Sequence, residues 1–416
     1  MTFAEIITIG DELLIGQVVD TNSAWIGQQL NAIGIKVYQI TSVSDNEAHI
    51  LSALKDAQQR AEVILITGGL GPTKDDITKY TLCKYFKSNL RFDENAFLQV
   101  EKLFASRGRQ VTEVNRKQAE VPEKCEVILN TLGTAPGMWF DEKGKIFVSM
   151  PGVPHEMKGM MEMDVLPRLK KLFTGDAIVH KVIWFQGIGE SFLSDMIEKW
   201  ELGLPENLKL AYLPSHGILR LRLSATGPSA TALHKTISEE VRKLYAIAGK
   251  YIFGEDEDTL ENITARLLTE QRLTISTAES CTGGYIAHRI TTVPGSSNYY
   301  MGSVVAYDDS IKVNILGVPG SVIELNGAVS EAVVIAMAKG VKEKFKTDYS
   351  IACSGIAGPA GGTPDKPVGT VYLAINHPGG VITKKLMLGT GRERVIRETT
   401  LFALNMLRKI LIGLPV

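Results

Sequence analysis

From residue 1 to about 170, short β-branched runs alternate with helical patterns. Residues 6–9, 36–40 and 63–66 have strand composition, and residues 21–32, 47–60 and 75–86 have helical spacing. Strands separated by helices pair through crossovers, so this order predicts a mostly parallel sheet with helices on both faces. Ligands of such sheets sit at the carboxyl ends of the strands, which directs attention to the loops after Ile9 and Ile66.

The order changes between Gly175 and Phe253. A strand at 181–185 and a helix at 191–200 precede two strands around a turn at 214–217, a helix at 230–248 and a short strand at 251–253. This is a split α+β pattern of the KH or ferredoxin-like kind. Its charge is mixed and it has no clustered carboxylates, so a structural or dimerising connector is expected. The acidic run Glu255-Asp256-Glu257-Asp258 marks a solvated boundary. Beyond it, helices at 260–271, 285–290 and 332–345 and strands at 273–277, 304–307, 349–353, 369–375 and 382–388 lead to a long helix from about Arg394. At roughly 150 residues per domain, 416 residues suit three: a doubly wound α/β domain over 1–172, an α+β connector over 173–254 and a second α/β domain over 255–416.

Composition excludes several classes. A hydrophobic fraction of 44% with 22% charged residues rules out wholesale disorder. Forty-five Lys+Arg against 46 Asp+Glu leave a formal charge of −1, which lacks the basic field of a nucleic-acid binder and argues against direct nucleic-acid contact. Cys83, Cys125, Cys281 and Cys353 are scattered, suggesting neither zinc site nor disulfide framework. No basic leader and no run near 18 apolar residues is present, so a cytoplasmic protein without membrane contact is expected.

The first loop is Gly10-Asp11-Glu12-Leu13, followed by Asp20-Thr21-Asn22; the third-strand loop is Thr67-Gly68-Gly69-Leu70-Gly71-Pro72-Thr73-Lys74-Asp75-Asp76. Gly68, Gly69 and Gly71 let backbone amides approach a ligand, and a helix starting near Asp75 would point its positive end the same way. A third glycine turn, Pro151-Gly152-Val153-Pro154, adds further amides. This combination suits phosphate. Asp11, Glu12, Asp75 and Asp76 at adjacent strand ends suggest a divalent cation beside it, although Asp75 or Asp76 alone is equally explained as a helix N-cap.

In the C-terminal segment a strand runs into Ala278-Glu279-Ser280-Cys281-Thr282-Gly283-Gly284 and then a helix. A serine on such a bend has the geometry of a nucleophile, with the amides of the following helix N-terminus as an oxyanion hole. The motif is not Gly-x-Ser-x-Gly, and His288 should face away, so the base must come from elsewhere; Tyr307 and Lys312 on the next strand and its loop are the candidates. Ser280 as a mere N-cap, Cys281 as nucleophile and Lys312 as a solvated side chain remain alternatives. A second glycine loop holds Ser354, Gly355, Gly358 and Thr363, with Arg392 and Arg394 at the last helix, and can wrap a phosphate or ribose.

These motifs carry a resemblance. Gly10-Asp-Glu-Leu, Gly68-Gly-Leu-Gly-Pro-Thr and Pro151-Gly-Val-Pro look like the molybdopterin-binding (MoCF) fold of CinA proteins. Ala278-Glu-Ser-Cys-Thr-Gly-Gly284, Gly327-Ala-Val-Ser330, Ser354-Gly-Ile-Ala-Gly-Pro359 and Lys366-Pro-Val-Gly-Thr370 look like the PncC-type CinA C-terminal domain. The resemblance implies two activities. The C-terminal domain would deamidate nicotinamide mononucleotide without a cofactor, with Ser280 as nucleophile, Tyr307 and Lys312 activating it, and Thr282, Gly283, Gly284, Ser354, Gly355, Gly358, Thr363 and Arg392 around the substrate. The N-terminal domain would be an ADP-ribose pyrophosphatase using a divalent metal (Mg, Mn or Co) at Asp11, Glu12, Asp75 and Asp76, stimulated by potassium, with Asn22, Gly68, Gly69, Gly71, Pro72 and Gly152 at the nucleotide. A homodimer is expected. The alternatives are a molybdopterin-binding or adenylyl-transferring N-terminal module, and a non-enzymatic partner in competence or DNA recombination.

Overall fold

In the computed structural model, which describes residues 2–173 and 175–416, the chain divides into two units, 1–179 with 225–236 and 180–224 with 237–416. The first holds β1 (Thr2–Ile9), α1 (Asp11–Leu14), α2 (Thr21–Ala32), β2 (Ile35–Val43), α3 (Glu47–Arg60), β3 (Val63–Thr67) and α4 (Thr78–Phe86). Next come β4 (Leu90–Phe92), α5 (Glu94–Ser106), α6 (Glu113–Arg116), β5 (Glu120–Pro122) and β6 (Glu126–Ile128). β7 (Gly137–Glu142), β8 (Lys145–Met150), α7 (Pro154–Met160) and α8 (Leu166–Leu172) complete it.

Its main sheet has the order β2-β1-β3-β8-β7-β6, parallel from β2 to β8 and antiparallel beyond. Successive strand side chains point to opposite faces, and the apolar residues divide accordingly. Ile6, Leu65 and Val148 join one core with Ile26 and Leu30 of α2; Ile7, Ile64, Ile66 and Phe147 join the other with Ile50 and Leu54 of α3. Both helices are capped by side chains, Asp20 accepting from the Ser23 amide and Asn46 from those of Ala48 and His49. The expected helix from Asp75 instead begins at Thr78 after Ile77, which supplies no side-chain cap. Asp75 and Asp76 therefore lie in the loop. The β7–β8 hairpin was not anticipated, because its strands are not separated by a helical pattern.

A second sheet, in the order β10-β11-β9-β12, comprises β9 (Ala177–Phe185), β10 (Leu208–Ser215), β11 (Ile218–Gly227) and β12 (Ile252–Glu255), with α9 (Glu190–Leu202) and α10 (Ala230–Ala248). This matches the expected small α+β fold. The last segment contains α11 (Leu260–Glu270), β13 (Ile275–Glu279), α12 (Tyr285–Thr291), β14 (Tyr300–Val305), α13 (Asp309–Asn314), α14 (Gly320–Asn326) and α15 (Glu331–Phe345). β15 (Tyr349–Gly355), β16 (Thr370–His377), β17 (Gly380–Met387) and α16 (Arg392–Leu411) follow.

The third sheet has the order β14-β13-β15-β16-β17, with β13 parallel to both neighbours. Ala278, Ala352 and Ala374 stand side by side across β13, β15 and β16, and their small side chains let α15 pack closely. The opposite face buries Ile275, Ile351, Leu373 and Ile375 against α11 and α16. Every described helix is too short or too polar to cross a membrane.

Candidate functional site

The ends of β1, β3 and β8 meet backbone to backbone. The Gly68 amide donates to Met150 O at 3.1 Å, and Gly68 has φ of +111°. A Cβ there would lie 2.1 Å from Ile9 O, so only glycine fits. Asn22, in the first turn of α2, donates through Nδ2 to Gly152 O at 2.8 Å and to Thr67 Oγ1 at 3.3 Å. The loops enclose a cleft of about 490 Å³, lined by Gly68, Gly69, Gly71, Pro72 and Gly152.

Five carboxylates face this cleft: Glu12, Asp45, Asp75, Asp76 and Glu156. Among the described residues no lysine or arginine lines it. Burial raises the Asp45 carboxyl above its ordinary range; the bond from the Asp11 amide, at 3.1 Å, opposes this, and the nearby charges of Asp11, Glu12 and Asp75 add to it. Asp45 follows β2, whose neighbour in the sheet is β1, so the strand order places it beside the first loop. Sequence reading missed it because the loop after residue 40 was not considered. Gln118 was missed as well. It is 5% exposed, lines the cleft, and neither amide atom has a hydrogen-bond partner.

The expected metal quartet does not assemble. Among the described residues no group of three or more His, Cys, Asp or Glu is placed to hold a metal ion. Asp11 contributes its amide to Asp45 rather than a carboxylate to the cleft. Asp76 is tied to Thr73, accepting from its amide at 2.9 Å and its hydroxyl at 2.5 Å. Carboxylate oxygens suit a hard cation, but among the described residues no three of them are placed to share one.

At the C-terminal turn, Ser280 follows β13 and is 9% exposed. Its amide donates to Cys353 O at 3.1 Å, and among the described residues its hydroxyl has no hydrogen-bond partner. The preceding Glu279 is fully buried. Its carboxylate accepts from the amides of Gly284, Ile286 and Ala287 at 3.1, 2.9 and 2.8 Å, and from the Thr282 hydroxyl at 2.7 Å. The helix N-terminus expected to serve as the oxyanion hole is thus filled by Glu279, because an anion belongs there and Glu279 is the nearest one. The Gly283 and Tyr285 amides bond back to Ser280 O and Thr282 O.

Lys312 is 1% exposed, not solvated. Its Nζ donates to Asp309 Oδ1 at 2.9 Å and to Tyr307 O at 3.3 Å. The Tyr307 hydroxyl accepts from Arg392 Nη2 at 2.7 Å, while Arg392 Nη1 donates to Gly358 O at 3.0 Å. Tyr307, Lys312, Arg392 and Gly358 are therefore brought together, and β14 runs parallel beside β13 so that Tyr307 follows the strand next to Ser280. No hydrogen bond joins Ser280 to Tyr307 or Lys312 among the described residues.

Two residues expected at the substrate have structural partners. Ser354 donates to Ala328 O at 2.8 Å, and Thr363 closes a turn with Lys366 through bonds of 2.9 and 3.1 Å. Arg394 pairs with Glu398 at 2.8 Å. Gly355 is required by packing, since a Cβ would lie 2.7 Å from Val371 Cγ2. The Cys281 thiol bonds to Cys353 and is buried, and both effects hold it well above the ordinary thiol range, which disfavours it as a nucleophile.

Glycine-rich strand ends on two separate sheets, joined by a small α+β segment, define a multidomain α/β protein with two candidate sites. Comparison with known families gives the particular one. The chain matches a probable molybdopterin binding domain over residues 5–171, a damage-inducible protein CinA KH domain over 180–254 and a CinA C-terminal domain over 257–411. It is 48% identical over 407 residues to a CinA-like protein of Cytophaga hutchinsonii, covering 98% of this chain and 97% of that one. A CinA-like protein of Flavobacterium psychrophilum is 48% identical over 408 residues, covering 98% of each chain. A putative competence-damage inducible protein of Caldanaerobacter subterraneus is 40% identical over 409 residues, with 98% of both chains covered. The chain belongs to the CinA family.

Proposed function

We propose that this chain is a bifunctional hydrolase of nucleotides derived from NAD. Its C-terminal site deamidates nicotinamide mononucleotide to nicotinate mononucleotide and ammonia. The observation that carries this reading is the unpartnered Ser280 hydroxyl at the carboxyl end of a central strand, beside the loop that buries Lys312. Ser280 Oγ attacks the carboxamide carbon, its proton passing by way of Lys312 to the departing ammonia. Water then hydrolyses the acyl-serine ester, releasing the carboxylate and restoring the hydroxyl. With Glu279 occupying the helix N-terminus, the amides of Cys281 and Thr282 remain to stabilise the oxyanion. Arg392, braced by Tyr307 and Gly358, is the cation assigned to the 5′-phosphate.

The N-terminal cleft cleaves the diphosphate of ADP-ribose. Among the described residues five carboxylates and no Lys or Arg line the cleft and would repel a free diphosphate; a divalent cation carried in by the substrate would screen that repulsion, with Glu12, Asp45, Asp75, Asp76 and Glu156 the carboxylates facing it. Gly68, Gly69, Gly71 and Gly152 supply close backbone approach, and Gln118 an unused amide. ADP-ribose cleavage by the intact chain should cease on chelation while ammonia release from nicotinamide mononucleotide continues; equal loss of both activities would contradict this division. The match to a probable molybdopterin binding domain supports a second reading of this cleft. A pterin that protects the chain from heat where ADP-ribose does not would favour it.

A further inference from the structure

The second unit contains another cleft, of about 390 Å³, apart from the Ser280 turn. Gln186, just after β9, lines it together with Lys250, Lys384 of β17 and Phe402, Met406 and Lys409 of α16; residues 414–416 line it as well. Gln186 is 3% exposed, and both its side-chain nitrogen and oxygen lack a hydrogen-bond partner. A buried amide left open in this way costs stability unless a ligand or water completes it.

The charges here are the reverse of those in the N-terminal cleft. Lys250, Lys384 and Lys409 line the cleft, no Asp or Glu does, and none of the three lysines has an acidic partner within 4.0 Å among the described residues. Burial, with Lys384 and Arg408 close by, lowers the Lys409 ammonium below its usual range.

We propose that this cleft binds a phosphorylated small molecule of the mononucleotide class. The lysines meet the phosphate, Phe402 and Met406 cover the base, and the Gln186 amide, with donor and acceptor both open, meets a base edge that offers the complementary pair. The volume lies within the range of small-ligand sites.

The test is calorimetric titration of the full chain with CMP, which carries no carboxamide or diphosphate and is not a product of ADP-ribose cleavage, and then with AMP, for which the signal that counts is the part lost in the cleft variants. Lys384→Gln and Lys409→Gln should each weaken CMP binding, and that part of AMP binding, by about ten-fold, the loss of one charge-assisted hydrogen bond. Gln186→Leu should weaken it too, with each variant melting at the wild-type temperature or above. Adenosine should bind far less tightly than AMP. Equal affinity for adenosine and AMP, CMP binding unchanged in both lysine variants, or displacement of CMP by a short single-stranded RNA that binds more tightly would overturn the proposal.

Discussion

Glu279 Oε2 accepts the hydroxyl of Thr282 at 2.7 Å, and the same carboxylate closes the N-terminus of α12 with three amide bonds. This buried carboxylate lies one residue before the proposed nucleophile, and among the described residues no Lys or Arg pairs with it; three backbone amides and the hydroxyls of Thr282 and Thr277 compensate it. Glu279→Gln would turn part of the carboxylate into a donor facing donors. It should destabilise the C-terminal fold by roughly 2–4 kcal/mol, read by denaturant unfolding. Unchanged stability would mean that Glu279 does not organise the turn.

Lys312 is buried with one carboxylate and one carbonyl as partners. Removing Lys312 leaves its partner Asp309 more than half exposed and so still solvated, rather than a charge stranded in the interior, and methionine fills the vacated space. Lys312→Met should therefore leave the chain folded while lowering kcat for ammonia release by about 100-fold or more, with KM little changed. Retained kcat would remove Lys312 from proton transfer.

Asp45 has its carboxyl raised, above all by burial and then by neighbouring acids. A carboxyl raised in the folded state favours folding while protonated, and that contribution is lost as pH rises through its folded value. Asp45→Asn should thus stabilise the chain near neutral pH by about 0.5 kcal/mol, the range of a partly exposed site. The gain should shrink as pH falls into the carboxylate range. Thermal unfolding at several pH values checks this, and a gain that grows on acidification would contradict it.

Much of the fold was legible because local signals agreed. The helices Thr21–Ala32 and Glu47–Arg60 carry their own caps in Asp20 and Asn46, and the two buried faces of β1 and β3 repeat with period two. The glycine loops were legible too, since Gly68 cannot be replaced where it meets Ile9. What was not legible depends on tertiary neighbours. Asp75 resembled a helix cap, but the helix waits until Thr78. Asp45 and Gln118 reach the cleft only through strand order and a distant turn. Glu279 stood in the motif itself, yet its capture of the helix amides depends on the turn's three-dimensional course.

Ammonia release from nicotinamide mononucleotide by purified wild-type, Ser280→Ala and Cys281→Ala chains tests the central assignment most directly. Ser280→Ala should abolish release while Cys281→Ala, altering only a buried thiol, retains most of it. Full activity in Ser280→Ala, or its loss in a folded Cys281→Ala alone, would contradict Ser280 as the nucleophile.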